Sequence, residues 1–94
     1  TIFIYPKTIN QYSILRAKMR ITEHARKRME RYNISETMVR NAMKDPESLI
    51  DGHSGRNNAQ KKLNGYVLRV IFEEEKGINV IVTVYKAKSE RYEV

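Results

Sequence analysis

The sequence predicts an α+β domain in which two consecutive N-terminal helices pack on one face of an antiparallel meander of three to four strands. Apolar residues recur at helical spacing between residues 22 and 44, and they alternate along the stretches that follow residue 56. Turn signals that contain glycine separate those later stretches. With 94 residues, the chain is long enough for one domain with one core.

Two short helices are expected between Thr22 and Lys44. Thr22 is a suitable N-cap, and Asn33 tolerates the left-handed conformation that often ends a helix. Ser35 can cap a second helix, which Pro46 stops. The apolar residues expected on the buried faces are Ala25, Met29, Tyr32, Ile34, Met38, Val39, Ala42 and Met43.

The strand candidates that follow are residues 57–63, 66–74 and 78–86. Asn64-Gly65 between the first two predicts a type I′ turn, which needs positive φ at both residues. The second and third candidates are apolar on both faces, which predicts central positions in the sheet. Regular alternation along the last strand would place Val80, Val82 and Val84 on one face.

Residues 1–18 differ from the rest of the chain, because their short β-prone runs are interrupted by Pro6. We expect this segment to be an N-terminal extension or an edge strand. Residues 19–94 are expected to form the single α+β domain. Within it, Leu49-Ile50 is a β-prone run that could supply a fourth strand.

The charge balance favours a polyanionic partner. Eighteen Lys and Arg against eleven Asp and Glu give a formal net charge of +7, which attracts nucleic acids. A charge that serves only solubility is the alternative. Without cysteine the chain forms no disulfide and no thiolate metal site. No apolar run approaches the roughly 20 residues that span a bilayer, and no signal peptide is evident, so we expect a cytoplasmic protein without membrane contact.

A basic stripe that contains one histidine is expected on the first helix. His24, Arg28 and Arg31 share a face, because they are spaced at i, i+4 and i+7. An imidazole can move a proton near neutral pH, and guanidinium groups can hold a phosphate and its developing charge. The same spacing also fits an ordinary solvated helix face with His24 packed at the edge of the helix–sheet interface.

Basic residues alternate with tyrosines along the last predicted strand and past its end, at Tyr85, Lys86, Lys88, Arg91 and Tyr92. Tyrosine rings can stack on bases, and their hydroxyls can bind phosphate or transfer protons. A frayed polar tail is the alternative. Because the first helix must cross the sheet near the end of this strand, we expect the stripe and the segment to meet in one concave site. The candidate catalytic residues are His24, Arg28, Tyr85 and Arg91.

Three basic residues of the predicted sheet and its loops are further candidates. Arg69 is a charge inside an otherwise apolar strand, so it needs a partner or a ligand. Lys61 could share its sheet face, and Arg56 precedes the first strand. The chain lacks HExxH, a Gly-rich phosphate loop and a carboxylate cluster spaced for a metal. We therefore expect neither a metal nor another cofactor.

Short motifs in this order resemble a family of small uncharacterised bacterial and archaeal proteins. The shared pattern is a T-x-H-A-x-x-R-M opening, here residues 22–29, followed by I-S at 34–35. A proline helix stop and a terminal V-x-T-V-Y strand complete it, here at Pro46 and residues 80–85. The resemblance covers residues 19–92, which is most of the chain.

This family is similar in its order of helices and strands to the BrnT-type toxins and, more distantly, to the RelE and ParE group. Those are basic α+β domains with an antiparallel sheet, and many are ribonucleases neutralised by an antitoxin encoded beside them. The resemblance implies an RNA-cleaving toxin, or a relative that has kept the fold without the activity. His24, Arg28 and Tyr85 match the motifs, whereas Tyr32-Asn33 stands where the family usually has Arg-Gly.

The leading hypothesis is an RNA-binding, metal-independent endoribonuclease toxin of a toxin–antitoxin pair. Its RNA could be ribosome-associated mRNA, and its protein partner would be the cognate antitoxin. His24 or Tyr85 would move protons while cations stabilise the phosphorane. The alternative is a non-enzymatic basic module that binds nucleic acid or a protein partner. The candidate RNA-binding residues are Arg31, Arg56, Lys61, Arg69, Lys86, Lys88 and Tyr92.

Overall fold

The structure, a computed structural model, describes residues 18–52 and 55–88 and contains two helices on one face of a five-stranded mixed sheet. The strands are β1 (Lys18–Ile21), β2 (Ser48–Asp51), β3 (Asn57–Leu63), β4 (Tyr66–Glu75) and β5 (Ile78–Lys88). The helices are α1 (Glu23–Tyr32) and α2 (Glu36–Lys44). Within the described ranges these helices are ten and nine residues long, so neither can cross a bilayer. The predicted α+β fold is confirmed, with one strand more than expected.

The strands lie in the order β1-β5-β4-β3-β2. The neighbouring pairs among β2, β3, β4 and β5 are antiparallel, as predicted, but β1 runs parallel to β5. β4 and β5 occupy interior positions, which confirms the prediction from their two apolar faces. β1 is an edge strand that begins at Lys18, and residues 1–17 lie outside the described part of the chain.

The turn between β3 and β4 consists of two residues, Asn64 and Gly65, as predicted. Gly65 has a φ of +79°, but Asn64 does not adopt positive φ, so the prediction of a type I′ turn is wrong at this position. The pattern of two positive φ values occurs instead at Lys76 and Gly77, with φ of 50° and 80°. Asparagine tolerates the left-handed region but does not require it, so the Asn-Gly pair alone does not fix the turn type.

Both helices begin and end where the capping residues predict. In α1, the Thr22 hydroxyl accepts a hydrogen bond from the Ala25 backbone N–H at 3.2 Å. In α2, the Ser35 hydroxyl accepts from the Met38 N–H at 3.1 Å. Asn33 ends α1 in the left-handed conformation, with φ 56° and ψ 48°. These local contacts fix where both helices begin and where α1 ends.

The core fills the space between the helices and one face of the sheet. Met29 and Val39 are buried there, as predicted, whereas Met38 packs against the margin of the core and Tyr32 is exposed. Removal of this apolar surface from water is the main stabilising contribution. The buried core residues are Ala25, Met29, Ile34, Val39, Ala42, Met43, Ala59, Leu68, Val70, Phe72, Ile81 and Val84.

A β-bulge in β5 interrupts the regular alternation of faces. Ile71 lies opposite Thr83, but the next residue of β4, Phe72, lies opposite Ile81, so Val82 is an extra residue in β5. As a result both Ile81 and Val84 face the core. The predicted common face for Val80, Val82 and Val84 is therefore wrong. Local periodicity does not reveal where an extra residue will be accommodated.

Candidate nucleic-acid interface

The N-terminal half of α1 covers the edge of β5. β1 pairs with β5 only as far as Ile81, and within the described residues no strand continues that edge. The Thr22 hydroxyl lies 2.9 Å from the carbonyl oxygen of Ile81 and 3.1 Å from that of Val82, and it can donate to them. Nε of Arg28 donates to the carbonyl oxygen of Val84 at 3.0 Å. Side chains of the helix thus satisfy carbonyls that a strand would otherwise satisfy.

The guanidinium of Arg28 lies close to two aromatic rings. Its guanidinium carbon is 5.3 Å from the ring centroid of Tyr32 and 6.0 Å from that of Tyr85. Both distances lie within the range of cation–π attraction. With Nε bound to the Val84 carbonyl, no group of the described residues accepts a hydrogen bond from Nη1 or Nη2. The side chain is therefore restrained along its length while its terminal nitrogens remain available.

A concavity of about 550 Å³ opens beside Arg28 on the outer face of α1. His24 and Arg31 are exposed there, and Arg28 is half-buried. Nζ of Lys27 lies 3.8 Å from the carboxylate of Glu23, a solvent-exposed pair that is weakly held. An exposed imidazole thus lies among several cations. Among the described residues, the lining consists of His24, Lys27, Arg28, Glu30 and Arg31.

Tyr85 leaves the sheet on the face opposite the helices. It lies across from Arg69 of β4, whose Nη1 donates to the Tyr85 hydroxyl at 2.6 Å. The Arg69 guanidinium carbon is 5.2 Å from the Tyr85 ring centroid. His24 and Tyr85 are thus on opposite faces, and the α1 side chain that reaches Tyr85 is Arg28. The expectation that both residues line a single concave site is therefore wrong. They lie on two faces of the sheet, and Arg28 is near both.

Arg69 is part of a polar network that the sequence analysis did not identify. Asn58 is buried. Its side-chain oxygen accepts from Nε of Arg69 at 3.1 Å and also from Nη2 when the amide is oriented with its oxygen, and not its nitrogen, toward the guanidinium. The buried amide of Gln60 lies 3.0 Å from that of Asn58. The available signal was the polar pair in β3 at i and i+2, across from a charged residue in β4. Lys61 lies opposite Leu68, so its predicted common face with Arg69 is wrong.

Lys61 and Arg56 take part in contacts away from α1. Nζ of Lys61 donates to the Asp45 backbone carbonyl at 2.9 Å and to its carboxylate at 3.2 Å, at the end of α2. Arg56 forms an ion pair with Glu73 at 2.9 Å. Glu73 is seven residues from the start of β4, or about 23 Å along the strand, so Arg56 lies at the other end of the sheet from Lys88. The structure does not bring Lys61 or Arg56 to the concavity beside α1.

The remaining candidates lie near the end of β5 or beyond it. Nζ of Lys86 is 4.7 Å from the Tyr66 ring centroid, and Lys88 is exposed at the last residue of the strand. Lys86 lies opposite Leu68, so it projects from the helix-bearing face, unlike Tyr85. Arg91 and Tyr92 lie outside the described residues. Of the predicted positions, the concavity unites His24, Arg28 and Arg31.

Fold and site together define a small basic α+β domain with a histidine-containing, cationic helix face at the edge of its sheet. The chain belongs to a family of domains of unknown function, DUF4258, whose pattern matches residues 21–86. The predicted membership of a small uncharacterised family is thereby confirmed. No curated protein matches the chain, and neither does any solved structure. In the described part of the chain, no three His, Asp or Glu residues are grouped so as to hold a metal ion.

Proposed function

We propose that this domain binds RNA through the α1 concavity and cleaves it as a metal-independent endoribonuclease toxin. The observation that carries the proposal is the exposed His24 in a concavity that Arg28 and Arg31 also line. A proton carrier among fixed cations is the minimum equipment for phosphodiester cleavage. The formal net charge of +7 supports attraction of the polyanion to the domain.

In the proposed reaction, His24 removes the proton from a ribose 2′-hydroxyl, whose oxygen attacks the adjacent phosphorus. The bond from phosphorus to the 5′-oxygen breaks, and water supplies the proton for that leaving oxygen. The products are a 2′,3′-cyclic phosphate and a 5′-hydroxyl, so atoms and charges balance. Arg28 and Arg31 stabilise the additional negative charge on the phosphorane. Tyr85 is not assigned a proton, because its hydroxyl lies on the other sheet face and is bound to Arg69.

The toxin assignment is supported by the resemblance of the sequence motifs to those of BrnT-type and RelE-type toxins. On this proposal, a protein antitoxin encoded beside the domain is the cognate partner, and the site of action is the cytoplasm. The alternative function is a binding module that holds RNA without cleaving it. The engagement of Tyr85 by Arg69 favours this alternative, since it removes one of the two candidate proton carriers and leaves His24 beside the carboxylate of Glu30 on the described lining of the concavity.

Binding of a labelled RNA, measured by fluorescence anisotropy from about 50 to 200 mM salt, tests the first half of the proposal. We expect affinity to fall steeply across this range, because each phosphate contact releases counterions. Arg31→Ala should weaken binding and flatten the salt dependence. Lys62→Ala, which removes the same charge from an exposed position in β3, is the matched control and should have little effect. Undetectable binding at low salt would leave only the solubility explanation of the charge.

Cleavage of the same RNA in the presence of a metal chelator tests the second half. We expect wild-type protein to produce fragments with cyclic phosphate ends, and His24→Ala to reduce the rate by roughly 10²–10⁴-fold while it retains RNA binding. In a host that the wild type poisons, His24→Ala should abolish toxicity. RNA that is bound but not cleaved by the wild type would establish the binding module instead.

A further inference from the structure

The geometry points to an unpaired nucleotide as the RNA element recognised at α1, with its phosphate on Arg28 and its base stacked on Tyr32. This inference rests on the proposed RNA binding and specifies the substrate class. Tyr32 and Arg28 are one helical turn apart, and the Arg28 guanidinium lies over the Tyr32 ring at 5.3 Å. One ribose joins the phosphate and the base of a nucleotide, so the two groups that bind them must be neighbours.

Arg28 is prepared to hold a phosphate before RNA arrives. Its Nε is bound to the Val84 carbonyl, and its guanidinium lies over the rings of Tyr32 and Tyr85. These contacts reduce the conformational entropy that binding would otherwise cost. The two Nη groups form a planar fork that matches a pair of phosphate oxygens. A lysine at this position would lack both the fork and the restraint.

Tyr32 offers the base an accessible aromatic surface. Its exposure is 37%, and it does not belong to the buried core, although it was expected on the apolar face of α1. The other large apolar side chains exposed in the described part of the chain, Leu49 and Ile50, lie on β2 at the far edge of the sheet. Tyr32 is thus the exposed ring beside the cationic concavity. Bases stack on such rings with little dependence on their identity.

A base that stacks on Tyr32 must have left the base stack of a duplex. Proteins read double-stranded RNA mainly through its shape, phosphates and 2′-hydroxyls, whereas splayed bases of single strands stack on aromatic side chains. A phosphate of either single-stranded or double-stranded RNA can bind Arg28, but only an unpaired base can stack on Tyr32. We therefore expect the domain to prefer single-stranded RNA over a duplex of the same length.

The test compares an unstructured single strand with a duplex of equal length, for wild type, Tyr32→Phe and Tyr32→Leu. Wild type should bind the strand at least about fivefold more tightly, the lower end of what one stacked base contributes. Tyr32→Leu keeps an apolar side chain but lacks a ring, so it should lose that preference, and the lost ring contact to Arg28 should lower the affinity for strand and duplex by the same further factor. Tyr32→Phe retains the ring and should behave as wild type. Circular dichroism and thermal melting establish that the variants are folded.

Equal wild-type affinity for strand and duplex would overturn the inference and leave the proposed RNA binding intact. Similar losses in Tyr32→Phe and Tyr32→Leu would also overturn it, because they would assign the effect to the hydroxyl. Absence of binding to either RNA would overturn both proposals. A fluorescent base analogue in the strand provides a readout that needs no variant, since stacking on wild-type Tyr32 should quench it. An unchanged emission on saturation would contradict the stacked base.

Discussion

The side chains of Arg69 and Arg28 are both held by contacts within the domain, but they differ in how many guanidinium nitrogens remain available for a ligand. Arg69 uses Nε and Nη2 on Asn58 and Nη1 on Tyr85, so each of its nitrogens is engaged. Arg28 uses Nε on Val84, and its Nη groups have no acceptor among the described residues. The first arginine therefore organises a sheet face, while the second can also bind a ligand. Helical spacing identified Arg28, and a position inside an apolar strand identified Arg69, but the sequence could not separate these roles.

Replacement of Arg69 by Met should destabilise the fold. The change leaves the buried Asn58 amide and the Tyr85 hydroxyl without their guanidinium donor, and an unsatisfied buried polar group costs about 1–3 kcal/mol. We expect the free energy of unfolding, measured with urea, to fall by about that amount. Lys62→Met, at an exposed position of β3, is the control and should change it by about 0.5 kcal/mol or less. Equal effects of the two substitutions would contradict a structural role for Arg69.

At the scale of elements, α1 is both a core helix and the cover of a sheet edge. Its buried residues Ala25 and Met29 pack on the sheet, while Thr22 and Arg28 bind carbonyls of β5. Thr22 also caps the helix, so one hydroxyl links the start of α1 to the strand on which it lies. The position of α1 along β5 is therefore fixed by polar contacts as well as by packing.

Removal of the Thr22 hydroxyl should loosen this link. Thr22→Val preserves the shape of the side chain but abolishes the cap and the donation to the β5 carbonyls. Loss of an N-cap alone costs about 0.5–2 kcal/mol, and we expect a decrease in the free energy of unfolding at the upper end of that range. Thr22→Ser keeps the hydroxyl and should retain most of the stability. If the serine variant were as unstable as the valine variant, packing of the methyl group would be the cause.

The helices and their ends could be predicted from the sequence because capping is local chemistry. Thr22, Asn33 and Ser35 act on backbone groups within a few residues, and their roles are confirmed. The parallel pairing of β1 depends on contacts between segments about 60 residues apart, and the bulge at Val82 depends on how β5 pairs with β4. Likewise, the concavity residues share one helix face and could be grouped by spacing. Tyr85 lies on the face opposite Val84, as alternation predicts, but the position of α1 relative to that face depends on tertiary packing.

Over the whole molecule, many basic residues are paired with acids away from α1. Arg20 lies 3.7 Å from Glu75 and Arg56 lies 2.9 Å from Glu73, while Lys61 is bound to Asp45. Such pairs reduce the local positive charge of the surfaces they occupy. His24, Arg28 and Arg31 form no ion pair within residues 18–52 and 55–88, which concentrates the available charge at the concavity.

The sheet order predicts a gradient of local stability across the molecule. β4 and β5 are interior strands with buried side chains, whereas β2 is a four-residue edge strand with exposed Leu49 and Ile50. In native-state hydrogen exchange, amides in the middle of β4 and β5 should exchange slowest and those of β2 much faster. Protection of β2 equal to that of β4 would contradict this order and indicate that the edge unfolds only with the whole domain.

The contact between Arg28 and the Val84 carbonyl has a consequence for the interpretation of related chains. An arginine that seals a strand edge remains useful to the fold after a ligand has been lost, so its retention does not report activity. His24 is exposed and has no hydrogen-bond partner among the described residues, so the fold places no comparable demand on it. On the proposed function, we expect a relative that keeps the arginine but replaces the histidine to be a folded domain that does not cleave RNA. On the proposed function, the histidine position is the more informative marker for sorting active from inactive members.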